Sequence, residues 1–335
     1  MKVLITGGAG FVGARLARTL LARGKLAGKT IEKLVLADQF APPADLLGDT
    51  RVQARTGALL EQCAAIGKDG FDGVFHLASA VSGECELDFE LGLRSNLDTT
   101  RALLDALRLA GRVPRLVFSS SVAVFGPDPA VPLPNPVTDT TLPAPQTSYG
   151  VQKLICEHLV ADYTRKGYID GRAARLMTVT VRPGKPNAAA SSFFSGILRE
   201  PLAGVESICP VAADVTHPVA SPSKTVDALI AVYEATREAF NGRTAMNLPA
   251  LNVSVGEMLD ALEAVAGKAV RARVRFERDE RIAGIVANWP GGATAQRAQA
   301  LGLRPDESFA DIIRQYIADC SARPDAAETL KGMTR

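Results

Sequence analysis

KVLITGGAGFVG, residues 2–13, carries a short strand-forming run straight into a glycine-rich turn spaced by Gly7, Gly10 and Gly13. The run 2–6 reads as a buried strand, and residues 11–23 repeat apolar side chains at helical spacing. The glycines therefore occupy a strand-to-helix turn. Backbone that turns this tightly favours glycine, and a side chain there would hold a pyrophosphate away from the helix's amino-terminal N–H groups. In a segment rich in Ala and Gly the pattern alone says little. Its place between strand and helix gives it weight.

Outward from that turn, the next strand-forming run ends KLVLAD and puts Asp38 at the close of a second strand. A carboxylate there accepts hydrogen bonds from an adenosine ribose and repels a 2′-phosphate. Gln39 and Phe40 bring no compensating cation, which favours NAD over NADP. A plain strand-end turn former is the other role open to this Asp. Further strands are expected at 52–56, 73–78, 115–120 and 174–182, with helices near 11–23, 58–67, 86–110, 147–166 and 223–240. That alternation specifies an α/β fold, a Rossmann-type doubly wound parallel sheet. Residues 125–147, rich in Pro and Thr, read as a loop near the site. The expected NAD-binding domain covers 1–182, with 219–250 returning to it. Segments 183–218 and 251–322 make a smaller α/β substrate-binding lobe, and 323–335 a flexible tail.

The chain's 335 residues exceed one compact core, which suits a large domain with a smaller lobe. Its 47% hydrophobic and 22% charged residues are ordinary for a soluble protein, and a net charge of +2 recruits neither nucleic acid nor an anionic membrane. Cys63, Cys85, Cys156, Cys209 and Cys320 show no CxxC spacing, and His76, His158 and His217 are scattered. They outline no disulfide frame and no metal site. No signal-peptide pattern opens the sequence, and no stretch approaches the ~20 apolar residues of a membrane span. Cytoplasmic small-molecule chemistry is the expectation.

TSYGVQKLICEHL puts Tyr149 and Lys153 one helical turn apart on one face. A phenol is a poor base at neutral pH, but a neighbouring ammonium and the positive ring of an oxidised nicotinamide both favour the phenolate. Any helix can show such a pair by chance. RLVFSSSVAVFG, however, runs a strand into Ser119, Ser120 and Ser121 at the end where open α/β sheets hold ligands. A serine there orients a reacting alcohol and stabilises oxyanion character. HLASA, residues 76–80, ends the preceding strand in small side chains that let a cofactor approach.

Taken in order, TGGAGFVG, Asp38, HLAS, Asn96 in RSNLDTT, SSSVAVFG, YGVQK and VRPG resemble the extended short-chain dehydrogenase/reductase family, also called the NAD-dependent epimerase/dehydratase family. The likeness spans roughly residues 1–185. It implies NAD as cofactor, Tyr149 as acid/base, Lys153 as its activator and ribose ligand, and Ser121, five before Gly126, as the substrate-orienting hydroxyl. It also implies that Gly7, Gly10, Phe11, Val12, Gly13 and Asp38 hold adenosine and pyrophosphate. Gly57, Leu59, Leu77, Ala78, Ser79, Asn96, Ser119 and Pro183 complete the implied cofactor contacts. Two departures stand out. Gly57-Ala58-Leu59 replaces the usual Gly-Asp-Leu or Gly-Asp-Ile, removing an adenine contact, and Phe125 replaces the tyrosine of VYG.

Sugar-nucleotide members of that family usually carry an Arg-Asp-(Tyr/Phe)-(Ile/Val)-His-Val-Asp-Asp-like segment before the returning helix. This chain has ADVTHPVASPSKTVDAL instead. Together with GKPNAAASSFFSGILREPLAG, it resembles the branch that handles D-erythronate, a four-carbon sugar acid of carbohydrate metabolism. The implied reaction is NAD-linked oxidation of the C2 hydroxyl to a 2-keto acid. A small hydroxy acid needs a cation or several donors for its carboxylate. Arg182, Lys185, Asn187, His217 and Lys224 are available. Structural salt bridges account for Arg182 and Lys224 equally well, and His217 can be a loop histidine satisfied by its neighbours. Ser79, Ser191 and Ser192, with Ser121 and Tyr149, are candidates for the substrate hydroxyls.

Two other readings use the same residues. A sugar-nucleotide 4-epimerase would retain NAD through its cycle and make no net NADH. A non-catalytic NAD-sensing regulator would bind NAD without turnover, although such proteins commonly lose the Tyr/Lys pair. The family resemblance also implies a homodimer through helices 86–110 and 147–166. Core packing explains their extra apolar residues, Leu154, Ile155 and Leu159 among them, equally well.

Overall fold

The computed structural model describes residues 1–184 and 189–333. Six strands alternate with helices through the first half: β1 (Lys2–Thr6), β2 (Lys33–Asp38), β3 (Val52–Thr56), β4 (Gly73–His76), β5 (Arg115–Ser121) and β6 (Asp170–Leu176). The helices among them are α1 (Phe11–Arg23), α2 (Leu59–Asp69), α3 (Ser82–Leu87), α4 (Phe89–Gly92), α5 (Thr99–Leu109) and α6 (Ser148–Arg165). Short strands β7 (Thr178–Val179), β8 (Ser207–Cys209), β9 (Thr216–Ala220), β10 (Met246–Asn247), β11 (Leu251–Ser254) and β12 (Val274–Phe276) follow. The main sheet runs β10-β6-β5-β4-β1-β2-β3, every pairing parallel.

A parallel sheet needs both faces covered, and its strands are apolar on both sides for that reason. Successive side chains point to opposite faces. Val3, Ile5, Leu34 and Leu36 therefore enter one core with Leu16 and Leu20 of α1. Leu4, Val35 and Ala37 enter the other, against Leu103, Leu104 and Leu107 of α5 and Cys156 and Val160 of α6. The strand order reverses between β1 and β4, and the crevice at that switch point is where such sheets bind ligands.

After Val181 come α7 (Phe193–Leu202), α8 (Pro222–Glu234), α9 (Val255–Ala266), α10 (Glu280–Val286), α11 (Gln296–Ala300), α12 (Phe309–Ser321) and α13 (Ala326–Thr329). Of these, α8 returns to the main sheet, where Val226, Leu229 and Tyr233 join the α1 core. A separate core gathers Phe194, Ile197 and Leu198 of α7, Met258 and Leu259 of α9, and Ile312 and Ile313 of α12. It packs with a three-stranded sheet ordered β11-β9-β7.

Several elements differ from their sequence reading. The single strand expected over 174–182 is two, because the chain leaves the main sheet after Leu176 and joins the smaller one at Thr178. The helix expected over 86–110 is interrupted at Asp88, whose side chain accepts from Leu91 N and starts a new turn. A π-helical turn over Leu93–Asp98 then widens it before α5. The helix expected over 223–240 stops at Glu234, and Thr236 caps a separate turn. Ala295 and Ala298, taken for the lobe, pack into the α1 core. The end of the chain, read as flexible, forms α13 and a further turn over Lys331–Met333, with Gly332 buried and accepting from Arg273 Nη1. On α6, Leu154 and Leu159 pack inward, whereas Val151 and Ile155 are exposed.

Candidate active site

Gly7 adopts φ +71°, a left-handed conformation that suits glycine, and turns the chain off β1. Gly13, on the first turn of α1, packs so closely on it that a Cβ would lie 2.1 Å from the Gly7 carbonyl oxygen. Gly10 caps α1 with no side chain of its own. The amino end of α1 is thus open, and backbone N–H groups point outward as an anion requires. Asp38, closing β2, accepts from Ala9 N at 2.9 Å and Phe40 N at 3.1 Å, so its carboxylate is anchored to the glycine turn. These features fit a dinucleotide. Gly57 and Leu59 lie at the end of β3 beside Asp38, and Ala58 caps α2 without a side-chain hydrogen bond. Adenine is offered no carboxylate at that position.

A cleft of about 880 Å³ opens at the carboxyl ends of β4 and β5. Phe11, Val12, Leu77 and Ser79 line one side of it, and Ser119, Ser121, Tyr149 and Lys153 another. The three serines ending β5 have different partners. Ser119 Oγ donates to the His76 carbonyl at 3.1 Å, and Ser120 Oγ donates to Glu157, itself held by Arg175 through two 2.8 Å hydrogen bonds. Ser121 Oγ accepts from Ala123 N at 3.1 Å and keeps its O–H for the cleft. Its spacing from Gly126 singles out the same residue.

Tyr149 sits on the first turn of α6, which Thr147 caps by accepting from Gly150 N. A Cβ on Gly150 would lie 2.2 Å from the Ala123 carbonyl oxygen, so glycine lets the helix start press against the Ser121 turn. Lys153 is buried, donates to the Ser119 carbonyl, and lies over both Tyr149 and Phe118. Beneath them Asn96 stands on the π turn. Its amide oxygen accepts from Ser79 Oγ at 2.9 Å and Ala80 N at 2.8 Å, and its nitrogen donates to Gln152 Oε1 at 2.8 Å. Ala78 N reaches Thr6 Oγ1 at 3.3 Å, tying this strap to β1.

On the lobe side, Arg182, Ser191, Ser192 and His217 all reach the cleft. Arg182 Nε donates to the Val179 carbonyl, Nη2 lies 3.4 Å from Ser191 Oγ, and the guanidinium faces the Phe11 ring at 5.9 Å. No carboxylate pairs with it among the described residues. Burial holds its pKa below the usual arginine range; Tyr149 opposes that effect and Arg199 adds to it. His217 offers no cation. It lies on β9, not in a loop, with Nε2 2.7 Å from Thr178 Oγ1 and Nδ1 3.2 Å from the Pro290 carbonyl. Burial pushes its pKa down to about 4, so the ring is neutral with both nitrogens engaged. Lys224 lies on the first turn of α8, away from the cleft, and Pro183 is exposed outside it. Lys185 and Asn187 fall outside the described residues. Sequence reasoning missed Phe193, Gly196, Arg199 and Glu200, which line the cleft from one face of α7, and Trp289 after α10. The helical spacing of the first three was the available signal.

Among the described residues no group of His, Cys, Asp or Glu could hold a metal, and no helix is long and apolar enough to cross a membrane. The model of the NAD dependent epimerase/dehydratase family matches residues 3–239. D-erythronate dehydrogenase of Cupriavidus necator is 50% identical over 327 residues, covering 95% of this chain and 98% of that protein. D-erythronate dehydrogenase of Haemophilus influenzae is 40% identical and covers 95% and 99%. Among solved structures, the nucleoside-diphosphate-sugar epimerase from Agrobacterium tumefaciens superposes with a TM-score of 0.90 at 45% identity, covering 95% of this chain and 94% of that one.

Proposed function

This chain belongs to the NAD-dependent epimerase/dehydratase family, and from that premise we propose that it oxidises the C2 hydroxyl of D-erythronate to a 2-keto acid. Likeness along the whole chain to two D-erythronate dehydrogenases is the observation that carries this reading. The protein is an NAD-dependent dehydrogenase. Gly7, Gly10, Gly13 and Asp38 would hold the adenosine and pyrophosphate, with Lys153 on the nicotinamide ribose. Bound NAD supplies the two-electron acceptor that converts the alcohol to a ketone.

The chain's own residues do the rest. Tyr149 takes the proton of the C2 hydroxyl, and the Lys153 ammonium beside its ring favours the charged phenolate. Ser121 donates to the C2 oxygen and holds it toward Tyr149. Arg182 pairs with the carboxylate, which in a 2-hydroxy acid is bonded directly to the reacting carbon. A half-buried guanidinium on the cleft without a carboxylate partner among the described residues suits that role. Ser79, Ser191 and Ser192 remain for the other hydroxyls.

A second reading is favoured by the epimerase structure from Agrobacterium tumefaciens, since a sugar-nucleotide epimerase would use the same Tyr149, Lys153 and Ser121. The two part in a screen of four-carbon aldonates and UDP-sugars followed by NADH absorbance. Signal with erythronate and none with nucleotides supports oxidation. Sugar-nucleotide interconversion without net NADH would overturn it, and NAD binding without any turnover would point to a sensor. We infer a cytoplasmic homodimer through the α6 face that carries Val151 and Ile155. Its five free cysteines, all buried, suit a reducing compartment, and light scattering on the purified protein reads the mass.

A further inference from the structure

Ser120 lies between the two residues of β5 that serve the reacting end: Ser119, whose carbonyl holds Lys153 at 2.8 Å, and Ser121, whose O–H is kept for the cleft. Its own side chain is buried and takes no direct part in the proposed chemistry. Successive side chains leave a strand on opposite faces, so Ser120 engages α6 without taking Ser121 from the cleft. Ser120 Oγ donates to Glu157 Oε1 at 2.5 Å. Glu157 stands on α6, one turn beyond Lys153 and two beyond Tyr149. Arg175, which pairs with Ser120 across β5 and β6, donates to both oxygens of that carboxylate at 2.8 Å. Its guanidinium also faces the Phe125 ring at 4.9 Å.

The ion pair is deep: the Arg175 and Glu157 side chains keep only 6% and 5% exposure. At that depth lost hydration roughly offsets the attraction, so the pair adds little stability over apolar side chains of similar volume. What it adds is geometry. A planar guanidinium fork fixes the carboxylate, and the carboxylate's charge strengthens the hydrogen bond from Ser120. Apolar contacts are non-directional and tolerate a small slide of helix along sheet, whereas these bonds have a set length and angle. The end of β5 is therefore tied to α6 and β6 beside the residues that carry the chemistry.

We propose that Ser120, Glu157 and Arg175 are positioning residues, a buried clamp that sets where Ser121 and Lys153 stand relative to Tyr149. The proposal rests on the roles read for those three residues. Its effect falls on the chemical step and not on substrate binding, because none of the clamp's polar atoms is needed to hold the acid.

The test compares Ser120→Ala with a triple variant, Ser120→Ala/Glu157→Leu/Arg175→Met, which removes all the polar partners together and leaves no buried charge unpaired. The triple variant is expected to melt close to the wild type, since apolar replacement of a whole buried pair is commonly neutral or stabilising. At saturating NAD its kcat for erythronate should nevertheless fall about 100-fold, and that of Ser120→Ala about tenfold, with KM within about threefold of the wild type. The C2-deuterium isotope effect on kcat should rise in both, because hydride transfer then limits turnover more fully. A triple variant with wild-type kcat, or a loss that falls on KM with the isotope effect unchanged, would overturn the clamp. Should the triple variant fail to fold, Ser120→Ala decides alone, and a kcat within about twofold of the wild type rejects the proposal. Wild-type turnover reads the parent proposal separately. If sugar nucleotides are interconverted and erythronate is inert, the same variants are compared on that reaction, which uses the same Tyr149, Lys153 and Ser121. A protein inert to both substrate classes sinks both readings.

Discussion

Lys153 Nζ lies 5.4 Å from the centre of the Tyr149 ring, one turn along α6, and is fixed there by a 2.8 Å hydrogen bond to the Ser119 carbonyl. On the proposed mechanism this charge activates the phenol as proton acceptor and Lys153 also holds the nicotinamide ribose, so the two residues should fail differently. Tyr149→Phe is expected to lower kcat by about 1,000-fold while leaving NAD affinity within about twofold, since only the proton acceptor is lost. Lys153→Met should lower kcat and also weaken NAD, because the ribose loses a ligand. Steady-state kinetics with a separate NAD titration distinguishes them. Substantial activity in Tyr149→Phe would remove the phenol from the mechanism.

Asp38 is tied by its own carboxylate to Ala9 N and Phe40 N, so it shapes the glycine turn and presents its charge to the same region. Asp38→Asn keeps an acceptor oxygen and loses the charge. The ratio of kcat/KM for NAD over NADP should then fall by about 10-fold or more, chiefly through better use of NADP. An unchanged ratio would mean that the carboxylate serves the turn alone.

Much of this architecture was legible because the determinants are local. The unbroken apolar runs in KVLIT and KLVLAD specify a sheet covered on both faces, and the distance from Ser121 to Gly126 separates one serine from its two neighbours. Asn96 is harder. The apolar spacing through 86–110 is that of one helix, and nothing in it announces the Asp88 cap or the π turn that aims Asn96 at Ser79. The lobe side of the cleft is harder still. Arg182, Glu200 and Trp289 converge from segments that meet only after α7 and α10 close over β9, so spacing gave no means of choosing among the available cations. His217 illustrates the point: its neutrality comes from burial among segments distant in sequence, and its two nitrogens are engaged by the Thr178 hydroxyl and the Pro290 carbonyl.

Gly13 touches the Gly7 carbonyl so closely that even one methyl group has no room. Gly13→Ala must push α1 away from β1 or distort the turn, at a cost of ~1–3 kcal/mol. Thermal denaturation should show a lower Tm, and, if this turn holds the pyrophosphate as proposed, the further rise in Tm that NAD gives the wild type should shrink. A variant that melts lower yet keeps the full NAD-induced rise would confine this glycine to packing.

His217 makes folding sensitive to mild acid. Its folded pKa is depressed by burial to about 4, against an ordinary value of 6.5. Between those values the unfolded chain binds a proton that the folded one refuses, so stability is highest above pH 6.5 and falls as pH drops toward 4. His76, with Nδ1 at Thr6 and Nε2 at Thr100, is pushed down to about 3 and acts in the same direction over a wider window. Going from pH 7 to pH 5 should cost about 2 kcal/mol for each of these histidines. His217→Asn is therefore expected to be less stable than the wild type at pH 7, with the gap narrowing by about that amount at pH 5. Urea denaturation midpoints at the two pH values measure it. A gap that stays constant would mean that the folded ring carries its proton, and with it a positive charge inside the cleft wall.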